Sequence, residues 1–153
     1  MRQSCQRDSC SNFQSECTCA FDYGAEPHVA DIKQEAEKNK NFRTAYWTGE
    51  YLQMTLMCIP PCGEIGWEVH MDTDQFIHVE EGQGMVEMGH CKGQVNCRKK
   101  LFRGCAVFVP AGTWHNILNT GRCALKLSSI YAPPHHPHGT VHQTKKDADR
   151  AVY

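Results

Sequence analysis

The sequence predicts an all-β fold, a β-sandwich or small barrel, with one short helix near its N-terminus. Three observations lead there. About eight short apolar or alternating runs follow one another between residues 51 and 132, at strand spacing. Gly, Pro, Asn and Asp punctuate them. No segment among them has the length and period of a long helix.

The chain has 153 residues, enough for one domain with a real core. Residues 1–26 are polar and carry Cys5, Cys10, Cys17 and Cys19. Their spacing is irregular and contains no CxxC, so a flexible leader with free thiols is expected rather than a zinc site. Residues 27–132 are expected to form the single domain. It opens with "DIKQEAEKNKN", a helix near 31–38. Asp31 and Gln34 have capping-box spacing, and Asn39 and Asn41 can end the helix. Strands are expected at 51–59, 65–71, 75–81, 84–89, 95–102, 105–110, 115–120 and 124–132, with a mobile loop within 90–100. Residues 133–153, Pro- and His-rich and then charged, read as an extended C-terminal arm with a frayed end. Such an arm packs over the barrel or a neighbouring subunit.

Net charge is -1, which excludes a global electrostatic footprint for nucleic acid or an anionic membrane. No apolar run reaches transmembrane length, and the N-terminal residues lack the apolar stretch of a signal peptide. The expectation is a soluble cytoplasmic protein whose ten cysteines stay reduced. Cys58, Cys105 and Cys123 sit among apolar residues and are expected as core thiols.

The chemistry concentrates in two segments. In "EVHMDTDQ", Glu68 to Gln75, strand alternation puts Glu68 and His70 on one face. "DTD" reads as a turn, and a hairpin then brings Gln75 opposite both. Gln75 shares its face with Ile77 and Val79, whereas Phe76 and His78 face the other way. In "GCAVFVPAGTWHNILNTG", an apolar strand and a Pro-Gly turn lead to His115. Each residue alone has a bland role: Glu68 on a solvent face, Gln75 as a turn cap, His70 and His115 as satisfied barrel histidines. Asp72 competes with Glu68 as the carboxylate.

At these residues the sequence resembles the cupin family, small double-stranded β-helix (jelly-roll) barrels. Gly104, Pro110, Gly112, His115 and Asn119 match the family's second motif at every spacing. The first motif is degenerate: Glu68 stands where a histidine is usual, and Gln75, seven residues before Gly82, where a glutamate is usual. The resemblance spans about residues 45–132. It is closer to small single-domain prokaryotic cupins carrying ExH, DQF, "IYAPP" and "HGTVH", which automated naming calls mannose-6-phosphate isomerase-like.

The resemblance implies a metal held by Glu68, His70, Gln75 and His115. Nitrogen and oxygen donors without thiolate suit one divalent transition ion: Zn, Fe, Mn, Ni or Co. The function implied is a metal-binding cupin acting on an unidentified small molecule. A sugar-like isomerase or epimerase, an Fe(II) dioxygenase and a non-catalytic binding or sensing module all remain open. No catalytic base is assigned. His135, His136, His138 and His142 form a second candidate cluster or a solvated loop. A homodimer is expected, with "TAYWTGEYL" and the C-terminal arm covering sheet edges across a two-fold axis.

Overall fold

The computed structural model describes residues 21–153, so the leader cysteines at 5, 10, 17 and 19 lie outside the described residues. In chain order the elements are α1 (Ile32–Lys38), β1 (Arg43–Thr48), β2 (Gln53–Ile59), β3 (Asp74–Glu81), β4 (Gln83–Gly89), β5 (Cys97–Phe102), β6 (Ala106–Val109), β7 (Trp114–Asn119), β8 (Leu125–Ala132), β9 (Val141–His142) and α2 (Lys145–Arg150). A six-stranded antiparallel sheet has the order β6-β3-β8-β2-β1-β9, and a three-stranded sheet the order β5-β4-β7. Two antiparallel sheets in this arrangement form the β-sandwich that the resemblance implies.

The inner face of the large sheet is built in rungs, because side chains alternate along each strand. Met57, Leu127 and Val79 align across β2, β8 and β3, and Ile59 stands beside Leu125. Val86, Leu101 and Ile117 of the small sheet join the same core cluster. Burying each of these side chains contributes about 2 kcal/mol. Over the next two rungs the inner face turns polar: Thr55 and Ser129 align with Ile77, and Gln53 and Tyr131 align with Gln75. The apolar half anchors the sandwich, which leaves the polar half free to keep groups that do not pair with one another.

Half of the expected capping box forms, because the Gln34 side chain accepts from Lys38 Nζ instead of reaching back to Asp31. Asp31 Oδ1 accepts from Gln34 N at 3.1 Å, and Asn39 ends the helix. The helix packs Ala36 with Tyr46 and Leu56 on the outer face of β1 and β2. Residues 145–150, expected in the frayed end, form α2, closed by a reciprocal Thr144–Asp147 capping box.

Segment 65–71 differs from the expectation. It is not a strand but an irregular stretch held by two isolated bridges, Glu64 to Leu118 and Glu68 to His115. Gly66, at φ +96°, breaks the extended conformation there. The expected hairpin pairing of Gln75 with Glu68 and His70 is therefore absent. Gln75 pairs instead with Val109 and Tyr131. Cys123 is exposed rather than a core thiol, because β8 begins only at Leu125; Cys58 and Cys105 are half-buried.

Residues 21–26 are tied to β1. Asp22, buried, accepts from Gly24 N (3.0 Å), Thr48 N (2.9 Å), Thr48 Oγ1 (2.6 Å) and Gly139 N (3.0 Å). One carboxylate thus joins the N-terminal side, the end of β1 and the C-terminal segment.

Candidate metal centre

The bridge between Glu68 and His115 sets the site. Their backbones exchange both hydrogen bonds, each 3.0 Å. Asn116 pins the neighbouring segment, accepting from Gly66 N at 2.8 Å and donating to Glu64 Oε2 at 2.7 Å. His70 is fixed through its carbonyl, which accepts from Gly112 N at 2.7 Å. These contacts bring one ligand atom each from Glu68, His70 and His115 within 4.8 Å of one another. Asp72 is exposed and does not belong to this group.

The distances suit an ion. Glu68 Oε1 lies 3.5 Å from His70 Nε2 and 3.4 Å from His115 Nε2. That is too long for a strong hydrogen bond. Two donors each about 2.1 Å from one ion, at a tetrahedral angle, lie roughly 3.4 Å apart. Glu68 Oε1 and both Nε2 atoms are buried without a hydrogen-bond partner among the described residues.

The protonation pattern agrees. His115 Nδ1 lies 3.0 Å from the Thr113 carbonyl. A carbonyl only accepts, so Nδ1 carries the proton, and in the neutral ring Nε2 presents its lone pair to the site. Burial pushes the Glu68 carboxyl up, but His115, His70 and the Arg43 guanidinium together hold it well below the usual carboxylate range. It is therefore an anion, although water reaches a quarter of its side chain.

Gln75 lies on the polar rung that also carries Gln53 and Tyr131. Its Nε2 donates to Ser129 Oγ at 2.8 Å, which turns Oε1 away, buried and without a partner among the described residues. Gln75 stands beside Tyr131, whose ring centroid is 5.5 Å from that of His70. His78 faces away and meets Glu80 at 2.8 Å.

The four tail histidines do not form one cluster. His138 Nε2 donates to the Gly24 carbonyl at 2.8 Å, as a tether. His142 Nε2 lies 2.8 Å from Tyr153 Oη. His135 and His136 fold over the polar rungs, their backbone N–H groups held by Gln53 Oε1 at 3.2 and 2.9 Å. The His135 ring lies 4.1 Å from that of His70, tilted at 59° to it. Burial, then the charges of Arg43 and His135, push the His136 imidazole down to about 2, so it is neutral.

Three further residues of the polar interior beside the candidate centre, called the chamber below, were not singled out from the sequence: Arg43, Thr55 and Tyr131. All are buried, and Arg43 Nε, Thr55 Oγ1 and Tyr131 Oη have no hydrogen-bond partner among the described residues. Burial pushes the Tyr131 hydroxyl up to about 12, so it is a neutral donor. The signal for Arg43 was a charge opening an otherwise buried strand. It is ambiguous because β1 is buried on both faces, by α1 outside and the chamber inside.

A jelly-roll sandwich with a buried His₂-carboxylate cluster at its polar end defines a class of small β-barrel domain with a candidate metal centre. The chain belongs to the cupin family: the Cupin domain matches residues 55–131. It is 47% identical over 138 residues to the uncharacterised protein YrkC of Bacillus subtilis, covering 90% of this chain and 74% of that protein. The crystal structure of BH2720 from Bacillus halodurans is 51% identical, with a TM-score of 0.84 over 86% of this chain and 99% of that one. The crystal structure of TT1209 from Thermus thermophilus is 25% identical, with a TM-score of 0.59 over 69% of this chain and 96% of that one.

Proposed function

We propose that this protein is a metal-binding cupin. It holds one divalent transition ion on Glu68 Oε1, His70 Nε2, His115 Nε2 and Gln75 Oε1, and takes a small molecule at the polar end of the sandwich. The observation that carries this reading is the convergence of buried, unpartnered donor atoms from separate segments. Buried polar atoms are ordinarily paired, and leaving several unpaired in one place is costly unless something bonds them. The nitrogen and oxygen set suits Zn, Fe, Mn or Ni. When bound, such an ion polarises a carbonyl or lowers the pKa of a bound water.

The chain's own residues do the rest. Thr113 fixes the His115 tautomer, Ser129 orients the Gln75 amide, and Tyr131 offers a neutral O–H. In the sugar-like isomerase version, the group that moves a proton is His135, the half-buried imidazole against His70. Tyr131 and His136 titrate too far from neutrality for that task. In the dioxygenase version no protein base is required and the ion is iron.

We place the protein in the cytoplasm, where the six free cysteines among the described residues suit a reducing compartment. No helix of the described residues is long and apolar enough to cross a membrane. We also propose a homodimer, with a different seam from the one expected. β9 of the same chain covers the β1 edge, and we place the seam at β6, the edge strand at the opposite end of the large sheet, where Phe108 is 72% exposed.

The test is reversible metal removal. Dialysis against a chelator is expected to lower the melting temperature, and adding back one divalent ion to restore it. An unchanged melting temperature with and without bound ion, and no ion recovered in the dialysate, overturns the reading.

A further inference from the structure

Arg43 is 5% exposed, and its Nε has no hydrogen-bond partner among the described residues. Its Nη2 stands 3.8 Å from Glu68 Oε2, beyond hydrogen-bond range. A guanidinium cannot shed its charge and has five N–H groups to satisfy. Burying it without close partners is costly. Thr55 Oγ1 and Tyr131 Oη, on the neighbouring rungs, are also buried and unpartnered. The Tyr131 ring lies 5.5, 5.7 and 5.1 Å from the rings of His70, His135 and His136. The donors therefore surround one region beside the candidate metal centre.

Charge gives the sign of what belongs there. Glu68 is the carboxylate that faces the Arg43 guanidinium, at 3.8 Å, and Gln75 adds no charge. With a divalent ion on Glu68, His70 and His115, one carboxylate opposes one guanidinium and the ion. The chamber is then about two charges positive, which a low-dielectric interior does not tolerate without an anion.

We propose that Arg43 is the anion-binding residue of this site and that the ligand class is a small organic acid. Its carboxylate would lie between the Arg43 guanidinium and the metal position, with Thr55 and Tyr131 hydroxyls as further donors. This rests on the metal reading above. The planar guanidinium fork matches a carboxylate through two parallel N–H bonds, which a neutral polyol cannot offer. Substrate class is thereby set by charge, and a neutral sugar is disfavoured.

The experiment begins with elemental analysis of the reconstituted wild type, before any ligand is added. A chain that takes up no metal overturns the metal reading and this one with it. For the loaded protein, calorimetric titration compares lactate with its neutral amide, lactamide, and with inorganic phosphate. Lactate is expected to bind at least tenfold more tightly than lactamide. Arg43→Met is expected to lose that preference while its metal content stays at or above wild type, and Arg43→Lys to retain part of it. Equal binding of lactate and lactamide by loaded wild type overturns the proposal without any variant. So does tighter binding of phosphate than lactate, or undiminished lactate binding in a folded, loaded Arg43→Met.

Discussion

Replacing Asp22 tests how the histidine-bearing C-terminal segment is held over the chamber. The carboxylate accepts four hydrogen bonds, from Gly24 N, Thr48 N, Thr48 Oγ1 and Gly139 N. In Asp22→Ala all four are lost. Gly139 is exposed, so water takes up its N–H, whereas the partners at Gly24 and Thr48 are only half open. Three bonds to a charged acceptor, at about 1.5 kcal/mol each, predict a loss of about 4.5 kcal/mol. For a chain of this size that is a fall of roughly 10 °C in melting temperature. Asp22→Asn keeps one acceptor oxygen and is expected to cost about half as much. Urea unfolding measures both, and hydrogen exchange at the Gly139 and Thr48 amides reports the local release. Burial raises the Asp22 pKa, but the bonds from Thr48, Gly139 and Gly24 outweigh it, so the folded value lies below the ordinary 3.8. A depressed folded pKa means that this stabilisation is present above the unfolded value and disappears as pH falls through the folded one. The difference between wild type and Asp22→Asn should therefore shrink only below about pH 4. A cost under about 1 kcal/mol for Asp22→Ala, with unchanged exchange at Gly139, would refute the clamp.

Asn119 donates to the Ile59 and Cys123 carbonyls and accepts from Gly121 N, each at 2.9 Å. Asn119→Ala is expected to cost about 3 kcal/mol in urea unfolding, and a cost near zero would show that the motif asparagine is not structural. Gln75→Glu is expected to tighten metal binding by adding a negative donor, and Gln75→Leu to weaken it; equal affinities in all three proteins would remove Gln75 from the ligand set. For assembly, light scattering should give a dimer mass for wild type and a monomer for Phe108→Glu. A wild-type monomer at micromolar concentration would refute the dimer.

What could be read from the sequence depended on how local its cause is. Gly82 served to count the first motif, and its φ of +95° and the Ala124 carbonyl, 2.9 Å from where a Cβ would lie, show why glycine stands there. The α1 cap was legible because Asp31 and Gln34 are neighbours in sequence. Segment 65–71 was misread because its alternation imitates a strand, while its partner, β7, lies some fifty residues away in sequence. Glu68 and His115 were nevertheless named together, since motif spacing carries the long-range information that periodicity lacks. Arg43, Thr55 and Tyr131 were missed because nothing local separates an inward polar residue on a strand from one that is merely paired. β9 was missed because two residues, Val141 and His142, carry no period; only pairing with Thr44 and Arg43 defines them.

The most direct test of the account is the metal content of protein prepared without chelator and reconstituted anaerobically, compared with His70→Ala and His115→Ala. The account predicts about one ion per chain in wild type and close to none in either variant, with the far-ultraviolet spectrum unchanged in all three. Full stoichiometry in both folded variants, or none in wild type, would contradict it.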